Sequence, residues 1–204
     1  MELRRRVPVL SRFGSADRFE RGWRLAMAVC GLTVLFAVVP GDLWAGLYKT
    51  QKQALGEAFP GGGIERKTTF LTDAQAERVR ELARAPLPSK IVSYYVGLDA
   101  EGQRAGSAFF DSHVVRTTAE TVMVLIKPDG TVRRVEILAF YEPEDYRVRQ
   151  SWLDRMNDED LSAELTVGRH LVRVTGATLT VRALAAAVRR ALALHTVLGE
   201  ESKS

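Results

Sequence analysis

The segment Glu120 to Lys127 constrains the fold most, because Val122-Met123-Val124-Leu125-Ile126 is apolar at every position. Successive side chains of a strand point to opposite faces, so a strand apolar throughout must be covered on both. The flanking sequence supplies its partners. Ile91-Val92-Ser93-Tyr94-Tyr95-Val96 is β-branched and aromatic, Asp99-Ala100-Glu101-Gly102 turns the chain, and Arg104 to Phe110 completes a hairpin. Pro128-Asp129-Gly130 is a second turn, which makes Val132 to Phe140 the return strand. Residues 90–140 are therefore expected to form a four-strand antiparallel meander.

Helical patterns surround it. Gln51 to Phe59 is a short amphipathic segment, stopped by Pro60-Gly61-Gly62-Gly63. Thr72-Asp73-Ala74-Gln75 reads as a capping box opening a helix that runs to about Ala85, before Pro86 and Pro88. Tyr146 to Met156 is expected to be helical, with Trp152 as its core anchor. Val181 to Leu198 is an unbroken helical run whose buried stripe is Val181, Leu184, Val188 and Leu192. On that pattern Arg182, Arg189 and Arg190 fall on a solvated face, His195 on the helix surface and His170 in a loop. The expected class is α+β, an antiparallel meander with flanking helices.

The N-terminus has a different character. Residues 1–24 carry seven arginines and three acids, whereas residues 25–204 balance 22 basic against 22 acidic residues. The high isoelectric point thus belongs to a tail, which argues against a nucleic-acid-binding domain. From Leu25 to Gly41 there are seventeen residues without a charge, bracketed by Trp23 and Trp44. That is the lower limit for a bilayer-spanning helix, with interfacial aromatic residues at both ends. Arginines on one side alone place residues 1–24 in the cytoplasm and everything beyond residue 45 outside it. The expected organisation is a basic cytoplasmic tail (1–24), a single transmembrane helix (25–45), an exported domain (46–198) and a short tail (199–204). The rival readings are a cleaved signal peptide ending near Leu43-Trp44-Ala45, or a buried core helix.

Chemistry-bearing residues are few. Cys30, the only cysteine, lies in the apolar run, so the exported part has no thiol for a disulfide, metal or nucleophile. His113, His170 and His195 have no ligand spacing, and the acidic run Asp154 to Asp160 lacks the alternation and glycine of a calcium loop. No metal site or catalytic residue is expected. What remains is Val174-Thr175-Gly176-Ala177-Thr178-Leu179-Thr180 before the final helix. A helix start stabilises an anion through its free N–H groups and dipole. Thr178 or Thr180 can cap it, and Gly176 permits close backbone approach.

With anchor, meander and Thr-Gly-Ala-Thr in this order, residues 50–195 resemble the FMN-binding domain family. Its members include the G subunit of Rnf electron-transport complexes and the C subunit of the sodium-translocating NADH:quinone oxidoreductase. The resemblance implies FMN as cofactor, attached through its phosphate to Thr178 by a dedicated flavin transferase. It implies a phosphate site shaped by Thr175, Gly176, Ala177 and Thr180. It also implies a flavin-lining loop at Tyr141-Glu142-Pro143, where the family's glycines are replaced by Glu144-Asp145-Tyr146. Phe109 to Thr117 matches a stand-alone branch of the family. His113 and Arg116, read as a loop between strands, become candidates for a flavin-edge contact, and Tyr141 for stacking on the ring.

The family's transferase signal has an aspartate three residues before the motif, where this chain has Val172. Three outcomes stay open: a tolerant transferase, FMN held without a covalent bond, or a domain without flavin. The implied function is a membrane-anchored, extracytoplasmic module on the cytoplasmic membrane. It would relay electrons to or from membrane redox proteins or a quinone-linked complex, without substrate chemistry of its own. The alternative is a flavin-free adaptor that docks a protein in the envelope.

Overall fold

A computed structural model describes residues 46–162, 165, 168 and 171–201. The expected tail and anchor (1–45), His170 and residues 202–204 lie outside the described residues. Among the described residues no helix is long and apolar enough to cross a membrane.

The elements run α1 (Gln51–Ala58), β1 (Ile64–Phe70), α2 (Asp73–Ala83), β2 (Ile91–Leu98), β3 (Arg104–Val114), β4 (Ala119–Ile126), β5 (Val132–Phe140), α3 (Gln150–Leu153) and α4 (Thr178–Glu201). The sheet is an antiparallel meander in the order β1-β2-β3-β4-β5. It has five strands rather than the four expected. The extra one is β1, whose Glu65-Arg66-Lys67 core hides it from a hydrophobicity pattern. As an edge strand that is exposed along nearly its whole length, it needs no apolar face, and its charges discourage further pairing.

Both faces of β4 are covered, as its composition demands. Val122, Val124 and Ile126 face α2 and α4 across the main core. Met123 and Leu125 face α1 through Ala54, Leu55 and Ala58. On that second side Phe59 lies flat on Gly97, where an added methyl would come within 2.0 Å of the ring. The sheet is thus a middle layer with helices on each face.

Both short helices open on capping boxes. Thr50 exchanges hydrogen bonds with Gln53 ahead of α1, and Thr72 with Gln75 ahead of α2. Helix α2 stops at Ala83, two residues short of expectation, because Arg84 turns left-handed at φ 49°.

The last helix departs from its single-stripe reading. Val181, Leu184, Val188 and Leu192 are buried as expected, but so are Ala185, Ala187, Ala191, Ala193 and Leu194. Helix α4 is enclosed on several sides, and its arginines respond accordingly. Arg189, expected in solvent, donates to the carbonyls of Ala83 and Leu82 at 2.7 and 3.0 Å, satisfying the open end of α2. Arg190, also expected in solvent, is 8 % exposed and pairs with Asp111. His195 is half-buried rather than on the surface, and burial together with nearby Arg104 pushes its imidazole down to about 4. The helix also continues to Glu201, into the expected tail.

Tyr146 to Met156 is not one helix. A single 3-10 turn (Glu144–Tyr146), α3 and a second 3-10 turn (Asp154–Met156) replace it. Neighbours hold this backbone: the Tyr146 carbonyl accepts from Thr180, and Gln150 donates to the Val135 carbonyl. Trp152 is the expected core anchor, 7 % exposed.

Leu184 is fully buried, whereas Phe70 on the edge strand is 73 % exposed. Leu184→Ala should therefore cost about 2–5 kcal/mol of unfolding free energy in urea titrations. Phe70→Ala should stay within about 0.5 kcal/mol of wild type.

Candidate functional site

The Thr-Gly-Ala-Thr segment forms a tight turn into α4. The Ala177 N–H donates to the Val174 carbonyl, and the Ala177 carbonyl accepts the first helical bond, from Val181. Gly176 adopts φ +85°, a region that favours glycine. Ala177 therefore fills the cap position, contrary to the expectation of a Thr178 or Thr180 cap. Alanine has no side-chain acceptor, so helix geometry leaves the N–H groups of Thr178, Leu179 and Thr180 without an intrahelical partner. Thr178 is the first helical residue and is half-buried. Thr175 is exposed beside it, while Thr180 turns inward, 1 % exposed, and donates to the Tyr146 carbonyl at 2.7 Å.

That hydrogen bond docks the loop after β5 against the helix start. Within the loop, Glu142 acts as an internal anion. Its Oε1 accepts the backbone N–H groups of Arg116, Thr117 and Thr118 at 3.2, 2.6 and 2.8 Å. These bonds hold its carboxyl down at about 2. Glu142 therefore ties the β3–β4 turn to the loop. The same turn carries the Arg116 guanidinium 4.4 Å above the Tyr146 ring. The β3–β4 turn, the post-β5 loop and the start of α4 meet at one end of the sheet.

Beside them opens a cleft of about 610 Å³, lined by Val174 and Trp152, by Arg147, Arg149 and Arg155, and by Glu144 and Asp145. Trp152 donates its indole N–H to the Val172 carbonyl at 2.8 Å, which fixes the segment leading into the motif. The Val172 side chain points the other way and is 54 % exposed. The three cleft arginines escaped the sequence reading. Their signal was the alternation Arg147-Val148-Arg149: Val148 is 2 % exposed, so an extended backbone turns both arginines outward.

Tyr141 is 51 % exposed, its ring lying over Gly46. His113 lies within β3, not in a loop, and neither ring nitrogen is open. Nδ1 bonds Asp111 and Nε2 bonds Glu120, each at 2.9 Å. Asp111 also takes a two-point contact from Arg190 at 2.8 and 2.9 Å. This quartet faces the α4 side of the sheet and pins the middle of α4 to β3.

Its electrostatics follow from mutual pairing. Burial disfavours charge on His113, but the hydrogen bonds to Asp111 and Glu120 outweigh it and hold the imidazole up at about 9. Burial also opposes ionisation of Asp111, yet His113 and Arg190 keep it down at about 2. Glu120, fully buried, is pushed up by burial, with His113 pulling back. Because the folded His113 value lies above 6.5, its contribution to stability is complete below pH 6.5 and is lost as pH rises through about 9. The urea midpoint should therefore fall between pH 7 and pH 9, and in His113→Gln that decline should flatten.

The arrangement fits a phosphate. An uncapped helix start, a bare left-handed glycine and the cleft arginines Arg149 and Arg155 are donors of the kind that phosphate esters recruit, while Arg147 is held by Glu144 at 2.6 Å. No curated protein matches the chain. The family model of the FMN-binding domain matches residues 118–193, from the turn held by Glu142 through most of α4. Residues 118–193 thus match the FMN-binding domain family, and FMN is the cofactor the match indicates.

Proposed function

We propose that this chain is a membrane-anchored, extracytoplasmic flavoprotein that carries FMN on Thr178 and relays electrons for membrane redox partners. The observation that carries the reading is the alanine at the cap of α4. A helix start that lacks its own acceptor accommodates one from outside, and Thr178, half-buried, is the residue that opens the first turn. Thr175, Gly176 and Ala177 shape the phosphate site by backbone geometry. Arg147, Arg149 and Arg155 balance its charge across the cleft. Glu142 and Thr180 act indirectly, by fixing the loop and the turn that face the helix start. His113 steadies α4 from the far side of its quartet, and Tyr141, whose ring covers Gly46, is one exposed aromatic at this end of the sheet.

Attachment forms one bond. The Thr178 oxygen takes the phosphorus of a flavin-bearing phosphoanhydride, its proton goes to solvent, and the donor's other phosphate leaves. A transferase supplies that activation, which accounts for the lack of a base among the motif residues. When bound, FMN supplies the redox chemistry, and the protein supplies position and charge. The apolar run 25–41 and its one-sided arginines support the anchor.

Intact protein co-expressed with a flavin transferase should gain the mass of one FMN less one water. Thr178→Ala should lose that gain and its fluorescence on a denaturing gel; fluorescence retained there would refute the attachment site. Position 172 projects into solvent with its carbonyl already engaged, so a partner can read its side chain without disturbing the fold. Val172→Asp should therefore raise the modified fraction in timed co-expression while leaving the urea midpoint unchanged.

A further inference from the structure

The end of the sheet that carries the candidate site also carries exposed apolar side chains among the described residues. Leu47 is 62 % exposed, Tyr48 43 %, Tyr141 51 % and Val114 65 %. They form one continuous row. Leu47 bridges to Ala139 at the edge of β5, and the Gly46 carbonyl accepts from Phe140. The Tyr141 ring covers Gly46, the Tyr141 N–H donates to the Ala119 carbonyl, and Ala119 pairs with Val114. Alongside, the Arg147 guanidinium lies 5.0 Å above the Tyr48 ring, and the Tyr48 hydroxyl donates to Glu144.

We infer that this row rests on the lipid headgroup layer, so that the candidate flavin site opens at the membrane surface. The inference rests on the anchor proposed above and adds an orientation to it. Two observations select lipid as the occupant. The row is built around Gly46, and only residues 42–45 separate Gly46 from the uncharged run in the sequence. Its composition, aliphatic residues with two tyrosines and an arginine, is that of side chains placing an apolar body in the interface and a polar tip at its edge. The consequence for function is direct. Glu144 and Arg147 belong both to this row and to the cleft, so the redox partner is met at the membrane rather than in free solution.

The second exposed apolar pair, Phe70 at 73 % and Ile91 at 52 %, sits on β1 and β2 at the opposite edge of the sheet and is an internal control. The full chain would be reconstituted in phosphatidylglycerol-containing vesicles with a photoreactive lipid bearing a headgroup-level diazirine, then mapped by mass spectrometry after irradiation. Labelling should concentrate several-fold at Leu47, Tyr48, Val114 and Tyr141 over Phe70 and Ile91. Leu47→Glu, at an exposed position, should keep the wild-type urea midpoint and lower labelling at Tyr141 and Val114 several-fold. Protein that washes off the vesicles in alkaline carbonate would overturn the anchor, and this inference with it. Protein that resists the wash but labels Phe70 and Ile91 as strongly as Tyr48, or labels neither, would overturn the inference alone.

Discussion

The site end of this domain depends on one carboxylate placed inside a turn. Glu142 leaves β5 and immediately turns its side chain into the β3–β4 connection, where three backbone N–H groups converge on a single oxygen. Without that acceptor the turn would expose three donors at the very place where the chain must be compact. With it, the post-β5 loop has a fixed starting point. Tyr146 is then delivered under Arg116 and against Thr180, and the first turn of α4 acquires a wall. The loop resembling a flavin-lining segment is thus a structural hub, and its glutamate serves that hub.

A second constraint acts at the middle of α4. A helix enclosed on several sides leaves no room for solvated arginines, so each must find an acceptor or remain costly. Arg190 finds Asp111, and Arg189 finds the open carbonyls of α2. The pairing with Asp111 extends through His113 to Glu120, so two carboxylates and two cationic groups share one small volume. The helix that begins at the candidate site is thereby indexed to the strands at a second, distant point.

The sequence made much of this legible and missed the rest for identifiable reasons. Strands β2 to β5 and the turns at 99–102 and 128–130 carry strong patterns, and Thr72 with Gln75 announces a helix start by its spacing. Strand β1 was invisible because an exposed edge strand has no hydrophobic signature. The segment after Tyr146 looks helical in composition, but its conformation is set by hydrogen bonds to residues far along the chain, such as Thr180 and Val135. Arg190 and His113 were misplaced for a related reason: a single helical stripe and a short strand estimate each ignored the other element's charges. At the candidate site, Thr178 and its neighbours were singled out by motif. The Arg147, Arg149 and Arg155 cluster emerges only when the loop folds back alongside α4.

Ala177 has a consequence for how the domain matures. Most helix starts are finished by a hydroxyl or carboxylate of their own, and this one ends on a methyl group. The first turn of α4 is packed through Ala177, Thr180 and Val181 but lacks a side-chain cap of its own. A phosphate bound there would supply the missing acceptor, completing the chain's own architecture from outside. A phosphate held there before any covalent bond forms would be linked by mass action to the order of that first turn.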